Sequence, residues 1–147
     1  MKRLILAFAL LCGAPAAAQS PAQLPVVELR AGMHVVRAEV AADFTSRMQG
    51  LMHRESLARN AGMLFVFDES SIHCMWMKNT LIPLSVAFID EGGTIINIAD
   101  MQPHSEQSHC AAKPALFALE MTQGWFAQRG IRPGLRLGGL DRLSRRR

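Results

Sequence analysis

Two apolar runs, Met63–Phe67 (MLFVF) and Leu84–Asp90 (LSVAFID), constrain this chain more than any other feature. Each reads as a strand buried in a sheet, short and bounded by turn residues. Between them lies a knot of special side chains: His73, Cys74, Met75, Trp76, Met77, Lys78, Asn79 and Thr80. An isolated ammonium in a core is costly, so this knot must bend toward water or find partners. Any fold of the chain has to bury the two runs and still accommodate the knot.

The first eighteen residues set the compartment. Lys2 and Arg3 precede an apolar run that breaks at Pro15 into Ala16-Ala17-Ala18. This is the three-part layout of a secretory signal peptide, with cleavage expected after Ala18. The run is short of the roughly 20 residues that span a bilayer, so no stable membrane anchor is expected after cleavage. Bulky Leu11 before Cys12 argues against a lipid-modified cysteine. The mature chain is therefore expected in the periplasm or secreted. Removing Lys2 and Arg3 leaves fourteen basic residues against twelve acids, and several of the bases crowd into the tail at Arg142 and Arg145–Arg147. Nucleic acid binding needs a basic face on the domain, and none is visible.

The remaining length fits one domain. Residues 19–25 form an extended lead-in, 26–138 a single β-rich domain, and 139–147 a basic tail. Strands are expected at Val26–Arg30, Val35–Ala41, Met63–Phe67, Ile72–Lys78, Leu84–Asp90, Thr94–Met101, Leu116–Met121 and Leu135–Leu137. A short helix runs to Leu51, capped by Asp43 or Thr45, with Met48, Leu51 and Met52 on one face. A second spans Gln123–Arg129, capped by Thr122 and closed by Gly130. The fold class is α+β, mainly β: a small rolled or barrel-like mixed sheet of seven or eight short strands with two short helices.

Only Cys74 and Cys110 remain after cleavage, and in an oxidising space a disulfide is the plainest reading. It would pin the polar loop 102–114 to the strand bearing Trp76. Metal is the alternative, because His73 precedes Cys74 and His109 precedes Cys110. Zinc would need adjacent strand residues to face one ion, against the alternation of a strand. Cu(I) would use His73, Cys74, Met75, Met77 and Cys110, since thioether and imidazole suit a soft ion. Against it, eight methionines spread through the mature chain read as core packing. No metal or other cofactor is assigned.

Lys78-Asn79-Thr80 admits two accounts. In one, Lys78 lays its stem on Trp76 while Asn79 and Thr80 bond the backbone of a bend before Pro83. In the other, Arg47, Lys78, Asn79, Thr80 and Glu120 line a pocket for a small anionic ligand or a protein partner. An enzyme using Arg47, Lys78 and Glu120 is the rival class. No hydrolase elbow, zinc-protease motif, C-x-x-C or phosphate-cradling loop supports it.

Three segments carry a family resemblance: RMQGLMHR (Arg47–Arg54), GMLFVF (Gly62–Phe67) and the block from Trp76 to Asp90 that opens WMKNT. With Ala118-Leu119-Glu120, Gly124 and Ile131–Gly134, they make the chain resemble the bacterial and archaeal domain-of-unknown-function family 192. The resemblance spans roughly residues 26–138. It implies a small, β-rich, single-domain protein, often behind a signal peptide, and assigns no catalytic residue. The family-typical positions here are Arg47, Trp76, Lys78, Asn79, Thr80 and Glu120. Cys74-Met75 departs from the aromatic that many relatives carry before the tryptophan. The reading that results is a binding or accessory module built round the WMKNT segment.

Overall fold

The computed structural model describes residues 23–144. The expected signal peptide, the start of the lead-in and the last three tail residues lie outside the described residues. Nine strands are present among them: β1 (Val26–Ala31), β2 (His34–Ala41), β3 (Ala61–Ser71), β4 (Cys74–Met75), β5 (Leu84–Ile89), β6 (Ile95–Met101), β7 (His109–Cys110), β8 (Ala115–Thr122) and β9 (Leu137–Gly138). Seven form one mixed sheet in the order β6-β5-β8-β3-β2-β1-β9, while β4 and β7 make a separate two-stranded sheet. Only β2 and β3 run parallel. A Thr94–Arg136 bridge and the Leu137 N–H to Gly93 carbonyl bond join the β6 end of the sheet to its β9 end, so the sheet is rolled.

Rolling divides the core in two. One face holds Leu64, Val66, Ala87, Ile89, Phe117, Leu119 and Met121, closed by Trp125 and Phe126. The other holds Met63, Phe65, Phe67, Leu84, Val86, Phe88 and Ala118, covered by Leu51, Met77 and Ala111. Alternate residues of β3, β5 and β8 therefore enter opposite cores, and Leu84–Ile89 is buried throughout. A strand covered on both faces cannot alternate apolar with polar, which is why the two diagnostic runs are continuous.

The helices serve as joints. Helix α1 (Phe44–Gln49) starts at Asp43, whose carboxylate accepts from the Ser46 N–H while the Ser46 hydroxyl reaches back to the Asp43 N–H. The Ser46 hydroxyl and backbone hold the Asp43 carboxyl below its ordinary range. Of the two expected caps, Asp43 is the one used. Gly50 ends the helix in a conformation with positive φ, so the face drawn through Met48, Leu51 and Met52 does not form. Leu51 enters the second core and Met48 stays exposed. Helix α2 (Trp125–Gln128) begins at Gly124 in the left-handed region, not at Thr122, which is the last residue of β8. A single turn, α3 (Asp141–Ser144), lies in the segment expected as tail, and Leu140 before it is buried.

The expected strand Ile72–Lys78 shortens to the two residues of β4. Met77 N–H bonds the Ser105 carbonyl, and Thr80 N–H bonds back to the Met77 carbonyl, so the chain leaves the strand for a turn. No helix among the described residues is long and apolar enough to cross a membrane.

Gly62 sits where β3 passes β8, and a β-carbon there would run into the Glu120 carbonyl oxygen and the Met121 sulfur. Backbone cannot yield as a flexible side chain does. Gly62→Ala is expected to lower the unfolding free energy by about 1–3 kcal/mol in denaturant titration.

Candidate functional site

The knot resolves into a disulfide, a turn and one wall of a groove. Cys74 and Cys110 stand directly opposite each other across β4 and β7 and are bonded, with 36 residues of separation in sequence. In the chain-entropy picture such a closure is worth roughly 4 kcal/mol. Both cysteines are exposed. With both sulfurs joined, neither is free to act as the thiolate ligand that the alternative through His73, Cys74, Met75, Met77 and Cys110 calls on. Met77 is fully buried in the second core and Met75 packs against it. His73 stacks on Phe67 with ring centroids 3.7 Å apart. The described residues contain no group of three or more His, Cys, Asp or Glu placed to hold an ion.

Lys78-Asn79-Thr80 is the turn between Met77 and the approach to β5. Asn79 takes φ 54°, the left-handed region that asparagine tolerates better than most residues, at the third position of the Met77–Thr80 turn. Its carbonyl accepts from His53 N–H, and the buried Thr80 hydroxyl donates to the Lys78 carbonyl at 3.3 Å. Lys78 is exposed, its Nζ 5.3 Å from the centre of the Trp76 ring. The local chemistry thus matches the account of a bend with a lysine lying over tryptophan.

Arg47 is occupied by structure. Its guanidinium donates to the carbonyls of Ala42 and Val66 and pairs with Asp68 at 2.7 Å, tying α1 to the end of β2 and the middle of β3. Glu120 lies opposite Met63 on β3 and Val86 on β5, inside the second apolar face. Val66, where Arg47 binds, is three residues further along β3 than Met63, about 10 Å of strand. The groove that Arg47 lines includes neither Lys78 nor Glu120.

What does converge is a groove of about 480 Å³ lined by Phe44, Arg47 and Met48 of α1, Phe65, Phe67, Asp68 and Glu69 of β3, and His73 to Trp76. Phe65 and Phe67 form a buried floor. Above it, Phe44 is 74% exposed, Met48 51% and Trp76 41%, an unusual concentration of large apolar side chains in water. Among the residues expected to bind a ligand, only Arg47 lines this groove directly, with Cys74 of the disulfide beside it, and Lys78 adjoins it through Trp76. Phe44 and Met48 were not singled out as a site by sequence reasoning. Their i, i+4 spacing behind the Asp43 cap was the available signal, but the same pattern reads equally well as a core-facing helix.

Glu120 is 3% exposed, and burial lifts its carboxyl from 4.5 to about 8. The raised folded value means the fold holds the neutral acid. Below pH 4.5 both folded and unfolded chains are protonated and nothing is lost. Between 4.5 and 8 the unfolded chain ionises first, so stability falls by roughly 1.4 kcal/mol per pH unit, levelling off above 8. Glu120→Gln is expected to flatten that decline, matching the parent near pH 4 and exceeding it by several kcal/mol at pH 8 and above in urea unfolding.

Compared with known proteins, residues 26–139 match the family model described as Uncharacterized ACR, domain-of-unknown-function family 192. No curated protein matches. A crystal structure of a proposed transcription regulator from Sinorhizobium meliloti 1021 is similar at TM-score 0.78 and 37% identity, covering 82% of this chain and 98% of that one. A protein of unknown function from Novosphingobium aromaticivorans DSM 12444 is similar at TM-score 0.76 and 33% identity, covering 86% of this chain and 99% of that one.

Proposed function

The chain belongs to the uncharacterised domain-of-unknown-function family 192, and we propose that it is an exported binding module whose groove receives an apolar side chain of a protein partner. The observation that carries this reading is the meeting of exposed Phe44, Met48 and Trp76 over the buried floor of Phe65 and Phe67. Large apolar and aromatic side chains around a concave patch are what anchor residues of partner proteins dock into. An anionic small ligand is the weaker choice. Asp68 already neutralises Arg47, and Glu69 adds a further acid to the lining.

Lys78, beside Trp76, supplies a polar rim to an apolar centre, the usual anatomy of a protein interface. No nucleic acid partner is expected, because the excess of basic over acidic residues lies in the tail and not on the domain. The periplasmic or secreted location is part of the same proposal. It rests on the leader pattern of residues 1–18 and on a disulfide that persists only where the surroundings oxidise.

Peptides displayed on phage and selected on the purified protein provide the test. The expected winners carry an aromatic or long aliphatic anchor. Their affinity drops about tenfold or more on Phe44→Ala and on Trp76→Ala, while both variants keep the parent melting temperature within a few degrees. Selections that return only peptides indifferent to both substitutions remove the groove as a binding site. For the location, sequencing the exported protein from a bacterial host is expected to read from Gln19.

A further inference from the structure

We infer that the groove is also the landing site of a protein dithiol, which reduces the Cys74–Cys110 disulfide by attack at Cys74. This rests on the groove being a binding surface, and adds the partner's chemistry to it.

Three observations lead there. Cys74 is exposed and lines the groove together with Met75 and Trp76, whereas Cys110 does not line it. A disulfide that serves only to staple a core has no need of solvent, and exposed ones are the labile class. The bonded pair also sits apart from the main sheet. β4 and β7 share only two residue pairs, Cys74 with Cys110 and Met75 with His109. Their links to the main sheet are the Asn97 side chain of β6, which donates to the Cys110 carbonyl and accepts from the Ala112 N–H, the His73 ring stacked on Phe67, and the buried Met77 and Ala111 behind them. Breaking the S–S bond therefore loosens the wall carrying Trp76 and the cover of the second core, while the seven-stranded sheet keeps its own pairing. Finally, a small thiol needs no apolar surface to reach an exposed sulfur, but a protein thiol does. Phe44, Met48 and Trp76 provide that surface beside one sulfur of the pair.

The exchange balances as a two-electron transfer. A thiolate of the partner attacks Sγ of Cys74, forming an intermolecular disulfide and breaking the bond to Cys110, which leaves as a thiolate. The partner's second thiolate then attacks its own sulfur in that mixed disulfide and releases Cys74. The partner ends oxidised, and Cys74 and Cys110 end as thiols after taking two protons from water.

The probe is thioredoxin, a dithiol protein, in two forms. A thioredoxin variant retaining only its attacking cysteine is expected to accumulate a one-to-one adduct that peptide mass spectrometry maps to Cys74. Intact thioredoxin should reduce the parent protein about tenfold faster than it reduces Phe44→Ala or Trp76→Ala, while dithiothreitol reduces all three at the same rate. An adduct at Cys110, no adduct at all, or groove substitutions that slow dithiothreitol equally would each overturn the inference. The two readings fail separately. Selected peptides that still need Phe44 and Trp76, with no thioredoxin adduct, leave the groove standing and remove only the exchange.

Discussion

Everything in this structure depends on three strands being covered on both faces. β3, β5 and β8 place alternate residues in two separate cores, and neither core is large enough to be dispensable. The first core closes itself by rolling the sheet and plugging it with α2. The second has no such device. It is covered by irregular chain: the segment after α1 that brings Leu51, the turn that brings Met77, and the stretch before β8 that brings Ala111. Irregular chain loses more conformational entropy per contact than a strand in a sheet, so its cover needs ties of its own.

Those ties explain the knot. The disulfide joins the two covering segments to each other, and the Met77–Thr80 turn with its left-handed Asn79 directs one of them back toward β5. Arg47 fixes the third edge by bonding backbone carbonyls of Ala42 and Val66. Arg47, Asn79 and the disulfide are thus employed in holding a lid on apolar surface. Where that lid stops short, Phe65 and Phe67 form the floor of a groove walled by side chains of α1, His73 and Trp76.

Much of this was legible in the chain beforehand, and the failures share one physical source. The unbroken apolar runs announce strands buried twice over, because burial on both faces erases alternation, and the observed β5 and β8 follow the expected bounds within a residue. The even count of cysteines was enough to expect their bond. Ile72–Lys78 misled because alternating apolar residues in WM-type sequence look like a strand, whereas their burial is set by contacts with loop 102–114, distant in sequence. Helix α1 misled for the same reason: Leu51 reaches the core from beyond Gly50, through a turn that periodicity does not encode. The groove was invisible because its walls come from three separated segments. Local pattern reports what one element needs, and a concavity exists only between elements.

Glu120 marks the limit of reading such positions as chemistry. It was grouped with Arg47 and Lys78 as a polar group that could line one pocket. Yet alternation along β8 sends Glu120 into the second face between Met63 and Val86, while Arg47 bonds backbone further along β3. A carboxyl there is held neutral by desolvation alone. Neutral, it costs the fold less than the carboxylate would, since burial penalises the charged form most. Its position beneath the covering segments gives it a different bearing on them from that of a catalytic group. When it ionises, the charge appears under the lid, and the apolar contacts of the second core must then offset it. The face that most needs external ties therefore also contains the group most able to weaken it, which is a physical reason for the disulfide to sit on this side of the sheet and not the other.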